Sequence, residues 1–228
     1  MPDFWRESLV GFLPANHPGI EGLKELVVSN HYQPEDFLEG AKSVVCFFLP
    51  FKAWVAKTNI KEEAASKTWA DAYMTTNRLA IELGEDLLEF FKERGYRAAY
   101  PYEATIFPKE NPRSRWSQRH LAYYAGLGSF GINNLLISSK GSLGRYFSII
   151  TDMEVEGAEL SAEHCLYKQD GSCTICVDAC SFGALNLEGF DRHRCLEQLG
   201  INEKLVGAGV CGKCAVGLPC SFGIPRAR

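Results

Sequence analysis

The sequence predicts a mixed α and β protein built from two units, residues 1–160 and 161–228. The first unit alternates strand-like apolar runs with periodic, helix-like segments and contains one cysteine, whereas the second is short, glycine-rich and contains the other eight. With 228 residues, 46% hydrophobic and 23% charged, the chain has the composition of an ordinary globular protein and can bury a substantial core. We therefore expect an α+β architecture with a larger domain followed by a smaller one.

The first unit is expected to be organised around one strand and one long helix. Residues 44–49 form an apolar run that Pro50 ends, as in a buried strand. Over residues 61–94 apolar side chains recur at three- and four-residue steps or their sums, which indicates one buried helix face, and Gly95 follows as a helix-ending residue. The remaining predictions are a short helix over 34–38, a strand over 97–102, a helix over 116–125, and strands over 135–138 and 146–151.

Charge and hydropathy exclude several classes of protein. With 24 basic and 28 acidic residues the net charge is −4, so the basic excess of a generic nucleic-acid binder is missing and the sequence predicts no nucleic-acid partner. No apolar run is long enough to span a membrane, and the N-terminal residues lack the basic and then apolar segments of a secretory signal. The expectation is a cytoplasmic protein without a membrane partner.

Nine cysteines make the sequence unusual, and eight of them lie in the last 64 residues. Cys46 lies inside the apolar run 43–49, where a free cysteine packs as a small apolar residue, so we expect a core role for it. An odd count without a secretory signal argues against a disulfide framework. In a reducing compartment, clustered cysteines bind metals or perform redox chemistry.

The second unit contains a repeated cysteine motif. Residues 173–180 (CTICVDAC) and 211–220 (CGKCAVGLPC) are each followed by Ser-Phe-Gly, and each copy has a further cysteine upstream. In two-cluster ferredoxins, each four-iron cluster is held by three cysteines of one half and a fourth from the other. The same exchange here predicts cluster 1 on Cys165, Cys173, Cys176 and Cys220, and cluster 2 on Cys180, Cys195, Cys211 and Cys214.

Three features depart from the common ferredoxin pattern. Seven residues separate Cys165 from Cys173, and serine rather than proline follows the last cysteine of each copy. In the second copy, five residues rather than three separate Cys214 from Cys220. Paired C-x2-C elements also form tetrahedral four-cysteine zinc sites, so two zinc ions are the alternative to two clusters.

Residues 126–131 (GLGSFG) match the G-x-G-x-x-G pattern of dinucleotide-binding loops letter for letter. Such a loop follows a strand and opens a helix, whereas this one follows a predicted helix and leads into a strand, so it does not predict NAD binding. A tight glycine loop still allows a large planar cofactor to approach closely. The alternative is a helix C-cap followed by a turn.

Residues 125–133 (AGLGSFGIN), residues 141–152 (GSLGRYFSIITD) and the eight-cysteine tail together resemble the epoxyqueuosine reductase family. These are cobalamin-dependent iron–sulfur enzymes related in their core to reductive dehalogenases, and the resemblance runs from about residue 43 to the C-terminus. It implies a nitroreductase-like α/β cobalamin-binding domain followed by a two-cluster ferredoxin-like domain. It also implies corrinoid contacts at Gly126, Gly128, Gly131, Asn133, Arg145 and Ala184.

Two departures from the family concern its substrate. The family has a helical-repeat domain after the clusters that helps to hold tRNA, whereas this chain stops eight residues past Cys220, so we expect a short form. The family's proton-donating aspartate precedes the glycine loop, and the matching stretch 112–115 (PRSR) contains no aspartate.

Tyr102 and Glu103 are the candidate proton donors in its place, because they lie at the end of a predicted strand, although a solvent-exposed pair is the alternative. A basic stretch could hold a phosphate or carboxylate, or form a solvated loop. Its members are Lys109, Arg113, Arg115, Arg119 and His120.

These expectations favour an oxidoreductase that passes single electrons from two 4Fe–4S clusters to a bound corrinoid, for the reduction of a small molecule or a partner corrinoid. An external flavodoxin- or ferredoxin-like protein would supply the electrons. The alternatives are an electron-transfer or reductive-activator protein without its own substrate, an epoxyqueuosine reductase acting on tRNA, and a zinc-stabilised binding module.

Overall fold

A computed structural model describes residues 3–61, 63–108 and 110–226 of the chain. The strands are β1 (Leu9–Pro14), β2 (Ser43–Pro50), β3 (Ala98–Ala99), β4 (Ser129–Phe130), β5 (Leu136–Ile137), β6 (Gly144–Thr151), β7 (Leu185–Asn186) and β8 (Gly189–Phe190). The α-helices are α1 (Pro18–Leu26), α2 (Ala53–Lys57), α3 (Lys67–Glu93), α4 (Gln118–Tyr124), α5 (Leu166–Asp170), α6 (Ile175–Asp178) and α7 (Arg192–Val206). Short 3-10 helices cover Pro34–Asp36 and Glu103–Thr105.

The central sheet is antiparallel, with strand order β1-β2-β6-β3. Strands β2 and β6 pair along their whole lengths, from Ser43 opposite Thr151 to Pro50 opposite Gly144. Nearly every side chain of β2 is buried, because helices cover both faces of the sheet. This explains why the strand has a continuous apolar run rather than an alternating one.

One face of the sheet packs on α4 and the segment before it. There Val44, Cys46 and Ile150 contact a buried cluster that includes Trp116 and Leu121. The indole Nε1 of Trp116 donates a hydrogen bond to the hydroxyl of Ser148 on β6 (3.0 Å). Cys46 thus has the core position that its sequence context predicts, and burial raises the pKa of its thiol.

The opposite face packs on the long helix α3. Val45 and Ile149 of the sheet contact Phe91 and Leu87 of the helix, and Leu49 and Phe147 contact Ala80 nearby. This is the apolar stripe that the periodicity of the sequence predicts. The result is a sheet between two helical layers, which confirms the predicted mixed α and β fold.

Several predicted bounds differ from the observed ones. Helix α3 begins at Lys67 rather than near residue 61, because the hydroxyl of Ser66 accepts a hydrogen bond from the Trp69 amide (3.1 Å) and caps the helix. The strand predicted over 97–102 is reduced to β3, because Pro101 has no amide hydrogen for the pairing and the Tyr102 amide turns back to donate to the Tyr100 carbonyl (2.9 Å). The sequence analysis did not predict β1, α1 or α7.

The cysteine-rich unit packs directly on the first unit. Phe51, Val55 and Trp69 share one apolar cluster with Val210 and Val216. Gly212 has a φ of +78°, and a Cβ there would lie 2.6 Å from the Trp69 ring, so only glycine allows this approach. The cysteine motif is therefore anchored to the helical layer of the first unit.

Within the described ranges, the structure contains no helix whose length and apolar character would let it cross a membrane.

Candidate functional site

The structure brings the tail cysteines together in two groups. Cysteine set 1 lines one small, mostly apolar cavity next to α6. Its fourth member comes from the second copy of the motif and its other three from the first. The members of cysteine set 1 are Cys165, Cys173, Cys176 and Cys220.

The thiols of cysteine set 1 lie close enough to influence one another. Burial raises the pKa of the Cys176 thiol to about 12, and the neighbouring thiols of Cys220, Cys165 and Cys173 add to the shift. The Cys220 thiol behaves in the same way, with its pKa raised to about 11. Because a metal binds the thiolate, loading such a site must release protons.

Cysteine set 2 consists of Cys180, Cys195, Cys211 and Cys214. Burial raises the pKa of the Cys214 thiol to about 12, and nearby Cys211, Cys180 and Cys195 raise it further. The pKa of the Cys195 thiol is raised to about 11 by burial, Cys211 and Cys180. Here it is Cys180 that comes from the other copy, and Cys176 of cysteine set 1 also raises the pKa of the Cys214 thiol. The division into two sets of four ligands stays a prediction.

In neither group do the sulfurs meet at a point. Among residues 3–61, 63–108 and 110–226, no three or more His, Cys, Asp or Glu side chains are arranged around a position for a single metal ion. Cysteine set 1 instead surrounds a cavity.

Ser221 explains one departure from the ferredoxin pattern. Its buried hydroxyl donates to the Ala215 carbonyl (2.6 Å) and accepts from the Leu218 amide (2.8 Å). These bonds close the five-residue loop between Cys214 and Cys220. A proline at this position could not make them.

The glycine loop packs on the protein itself. Gly126 ends α4 with a φ of +73°, and its position faces the carbonyl of Glu159. At Gly128 an added Cβ would lie 2.2 Å from the Ile137 carbonyl oxygen, because β4 and β5 form a tight hairpin there. The loop therefore has the geometry of a C-cap followed by a turn.

This hairpin also positions cysteines of both sets. The side-chain amide of Asn133 donates to the Cys214 carbonyl (2.8 Å). Ser129 donates to the Glu163 carboxylate (3.1 Å), which in turn accepts from the Cys165 amide (2.8 Å). Gly131 and Asn133 line the cavity of cysteine set 1. The glycine motif thus supports the cysteine unit.

A second, larger cavity of about 550 Å³ opens between α3, α4, β6 and the start of α7. Four arginines from separate parts of the chain line it: Arg113, Arg119, Arg145 and Arg192. No aspartate or glutamate is among its described lining residues. We call this space the arginine cavity.

The electrostatics of the arginine cavity reflect its excess of positive charge. Burial lowers the pKa of Arg119 to about 10, and neighbouring Arg192 and Arg145 lower it further. Burial and the charge of Arg119 lower the pKa of His120 to about 4, so this imidazole is neutral at pH 7. The cavity wall therefore presents fixed cations beside a neutral histidine.

Three buried polar atoms of residues that line the cavity lack hydrogen-bond partners among the described residues: Oγ of Ser142, Nε of Arg145 and Oε1 of Gln118. The Ser142 hydroxyl lies within hydrogen-bonding reach of the Cys220 thiol, which leaves Nε of Arg145 and Oε1 of Gln118. The guanidinium of Arg145 lies over the ring of Tyr73, 4.4 Å from its centroid, which fixes its plane. Buried polar atoms are normally paired, so these two indicate a ligand with hydrogen-bonding groups.

The arginine cavity borders cysteine set 2. Arg119 and Arg192 both act on the pKa of the Cys195 thiol and lower it against the effect of burial. The charge of Arg119 is in turn influenced by Cys214. The cavity wall also meets cysteine set 1, because the amide of Ser142 donates to the Cys220 carbonyl (3.0 Å).

The other predicted site residues lie in different environments. Tyr102 lines the arginine cavity, whereas Glu103 is exposed and outside it. Arg115 stacks on Tyr32 at 3.9 Å, away from the cavity. Ala184 is buried in the cysteine unit, where its carbonyl accepts from the Asp191 amide (2.8 Å).

Lys109 of the predicted basic stretch lies outside the described residues. The sequence analysis did not connect Arg192 with this site, because it lies more than 70 residues after Arg119 and only the fold brings the two together. The sequence does offer one sign of a helix that starts at Arg192, namely Asp191 immediately before it. Asp191 caps α7 by accepting a hydrogen bond from the Arg194 amide (3.0 Å).

Comparison with known proteins agrees with the motif resemblance. An epoxyqueuosine reductase from Leadbetterella byssophila is 27% identical over 218 residues, which are 89% of this chain and 66% of the relative. One from Lactococcus garvieae is 27% identical over 208 residues, 85% of this chain and 52% of the relative. The chain thus spans about half to two thirds of the length of these relatives. No family model matches it.

Solved structures show the same fold. A structure of epoxyqueuosine reductase with an epoxyqueuosine-modified tRNA-Tyr stem loop matches with a TM-score of 0.60 and 21% identity, covering 96% of this chain and 63% of that one. A reductive dehalogenase described with a B12-dependent mechanism matches with a TM-score of 0.63 and 16% identity. The match covers 95% of this chain and 30% of that one. The predicted resemblance to epoxyqueuosine reductases is therefore confirmed, and the reductase names agree with the oxidoreductase prediction.

The expectation that excludes nucleic acid as a partner is wrong. A protein of this fold has been solved with a tRNA stem loop. The net charge of −4 is a poor basis for that expectation, because it averages over the whole chain. Four arginines nevertheless line one cavity.

Proposed function

We propose that the protein is a cobalamin-dependent iron–sulfur reductase of the epoxyqueuosine reductase type. The observation that carries the proposal is the junction of the arginine cavity with cysteine set 2, since a cluster held by that set would lie beside a ligand cavity. The nitroreductase-like domain at 1–160 and the ferredoxin-like domain at 161–228 are part of this proposal. So is the cytoplasmic setting.

The two cysteine sets suit 4Fe–4S clusters better than zinc ions. In a cluster each thiolate binds a different iron, so four sulfurs surround a volume, whereas zinc draws four sulfurs to one point at about 2.3 Å. The four thiols of cysteine set 1 line a cavity, as the first arrangement requires. The exchange of Cys180 and Cys220 between the copies also follows the two-cluster pattern.

The arginine cavity suits a corrinoid. A corrin ring carries amide side chains that can accept from Nε of Arg145 and donate to Oε1 of Gln118, two of the buried atoms without a partner among the described residues. Bound clusters supply one-electron transfer, and a bound corrinoid supplies a cobalt centre that passes electrons to a substrate. Of the corrinoid contacts that the family resemblance implies, Arg145 lines this cavity. The others would act by supporting the cysteine unit: Gly126, Gly128, Gly131, Asn133 and Ala184.

Tyr102 is the proton donor that this geometry favours. Its side chain lines the arginine cavity, and Glu103 does not. Part of the stretch 112–115, which lacks the family's aspartate, lines the same cavity as Tyr102. In this role the phenol holds a proton at the cavity wall and donates it to the substrate.

Cobalamin binding tests the proposal with a matched pair of variants. Asn77 of α3 lines the arginine cavity, whereas its neighbour Arg78 is exposed. Equilibrium dialysis of anaerobically purified protein should show about one cobalamin per chain for the wild type and for Arg78→Trp. Asn77→Trp should lose binding, because the indole fills the cavity. Equal binding by both variants, or none by the wild type, would remove the corrinoid from the proposal.

A second candidate function is the reduction of epoxyqueuosine in tRNA. The structural neighbour with a modified stem loop and the arginines of the cavity favour it. Fluorescence anisotropy with modified and unmodified stem loops distinguishes it from a small-molecule reductase. A clear preference for the modified loop supports the tRNA substrate, and the absence of any salt-dependent binding would contradict it.

A further inference from the structure

The positive charge of the arginine cavity has no counterpart within the protein wall. Arg113, Arg119, Arg145 and Arg192 line the cavity, and its described lining contains no carboxylate. None of the ion pairs found among the described residues includes any of these four side chains. Charged groups that converge without a partner are costly unless a ligand neutralises them.

Cysteine set 2 can balance only part of this charge. Arg119 and Arg192 face the Cys195 thiol, so thiolates in that set would act on these two guanidinium groups. Arg113 is bonded to the Val27 carbonyl (2.7 Å), and Arg145 stacks on Tyr73 with its Nε unpaired. Both line the cavity, whose described lining residues include no carboxylate.

We propose that the arginine cavity binds an oxyanionic ligand with at least two negative charges, such as a phosphate monoester or a dicarboxylate. A guanidinium group binds the two oxygens of such a group as a planar fork, and two or more arginines fix its position. This inference names the class of substrate for the cavity of the proposed function. It therefore rests on that proposal.

Two arginine side chains of the cavity wall are already held in fixed orientations before a ligand binds. Arg119 is held by a hydrogen bond to the Asn134 carbonyl, and the ring of Tyr73 fixes the plane of Arg145, so little side-chain freedom is lost on binding. Tyr102 and Phe107 offer aromatic surface to the uncharged part of the ligand.

Isothermal titration calorimetry on anaerobically purified, cobalamin-free protein tests the inference with two probes, pyrophosphate and malonate. Both report the oxyanion, and the tighter one shows whether phosphate or carboxylate is preferred. Arg145→Gln should weaken binding by about tenfold or more, since it removes a charge-assisted contact. Arg78→Gln, an exposed arginine on α3, is the control and should bind as the wild type does.

The possible outcomes separate this inference from the proposed function. Binding of either probe that Arg145→Gln weakens and Arg78→Gln does not supports it. No binding of either probe, or equal binding by all variants, overturns it, and cobalamin binding would then leave the proposed function standing. If Arg145→Gln fails to fold by circular dichroism, Arg192→Gln serves as the second variant, with the same expected loss.

Discussion

Cys180 belongs to the first copy of the cysteine motif but lies among the thiols of the second. We therefore expect Cys180→Ala to damage one cluster and spare the other, so that iron content falls to about half. Cys46→Ala is the matched control, because Cys46 is buried in the core away from both sets. Loss of both clusters in Cys180→Ala alone would contradict this division of the ligands.

Lys213 places a buried positive charge beside cysteine set 2. Its Nζ donates to the Asn59 carbonyl (2.8 Å), and its charge lowers the pKa of the Cys211 thiol against the effect of burial. A nearby cation stabilises the more negative, reduced state of a cluster. We expect Lys213→Met to lower the reduction potential of that cluster by roughly tens of millivolts at an effective dielectric constant of about 20.

Redox titration followed by electron paramagnetic resonance measures this effect. Lys204→Met, which removes an exposed charge from α7, should leave both potentials unchanged. A shift of the other cluster alone would show that the charge of Lys213 acts elsewhere.

His120 makes stability depend on pH. Its pKa is about 4 in the folded protein and near 6.5 when unfolded, so the unfolded chain binds the proton more readily between these values. This contribution to stability is present above pH 6.5 and is lost as the pH falls toward 4. The free energy of unfolding of the wild type should therefore fall across this window more steeply than that of His120→Gln, and parallel curves would contradict this.

Sequence reasoning succeeds for residues whose chemistry is encoded in local spacing. The C-x2-C steps and the repeated Ser-Phe-Gly predict two sets of four cysteines, and the members of cysteine set 1 line one cavity in the structure. The arginine cavity was beyond such reasoning, because Arg145 and Arg192 have no spacing relationship to Arg119. Only the pairing of β6 with β2 and the packing of α7 place them on one wall.

At the scale of elements, the apolar pattern decides what is predictable. Strand β2 and helix α3 carry apolar runs or stripes and were predicted. Helix α7 was missed because the residues it buries are polar, Gln198 and Asn202. Asn202 donates to the Val210 carbonyl (2.6 Å) and accepts from the Ala65 amide (3.2 Å), so this helix is fixed by hydrogen bonds rather than by an apolar face.

The start of α3 offers a stability test at this scale. The hydroxyl of Ser66 caps the helix by accepting from the Trp69 amide. Ser66→Ala should lower the free energy of unfolding by about 1 kcal/mol, whereas Ser66→Asn keeps a capping acceptor and should cost much less. Urea denaturation measures both variants, and an equal loss in the two would show that the cap is not what Ser66 contributes.

For the whole molecule, the two units depend on each other. The hairpin of β4 and β5 positions Cys165 and Cys214, α3 packs on Gly212, and α7 contributes Arg192 to the arginine cavity. The arginine cavity therefore adjoins cysteine set 2 and, through Ser142, cysteine set 1. The similarity to epoxyqueuosine reductases and the fold shared with a reductive dehalogenase agree with this layout.

The most direct test of the account is the content of iron, sulfide and zinc in protein purified without oxygen. Two 4Fe–4S clusters predict roughly eight iron atoms and eight sulfides per chain, with a broad absorbance band near ~400 nm. Colourless protein with about two zinc ions per chain and no sulfide would contradict the account, because closed-shell zinc carries no electrons.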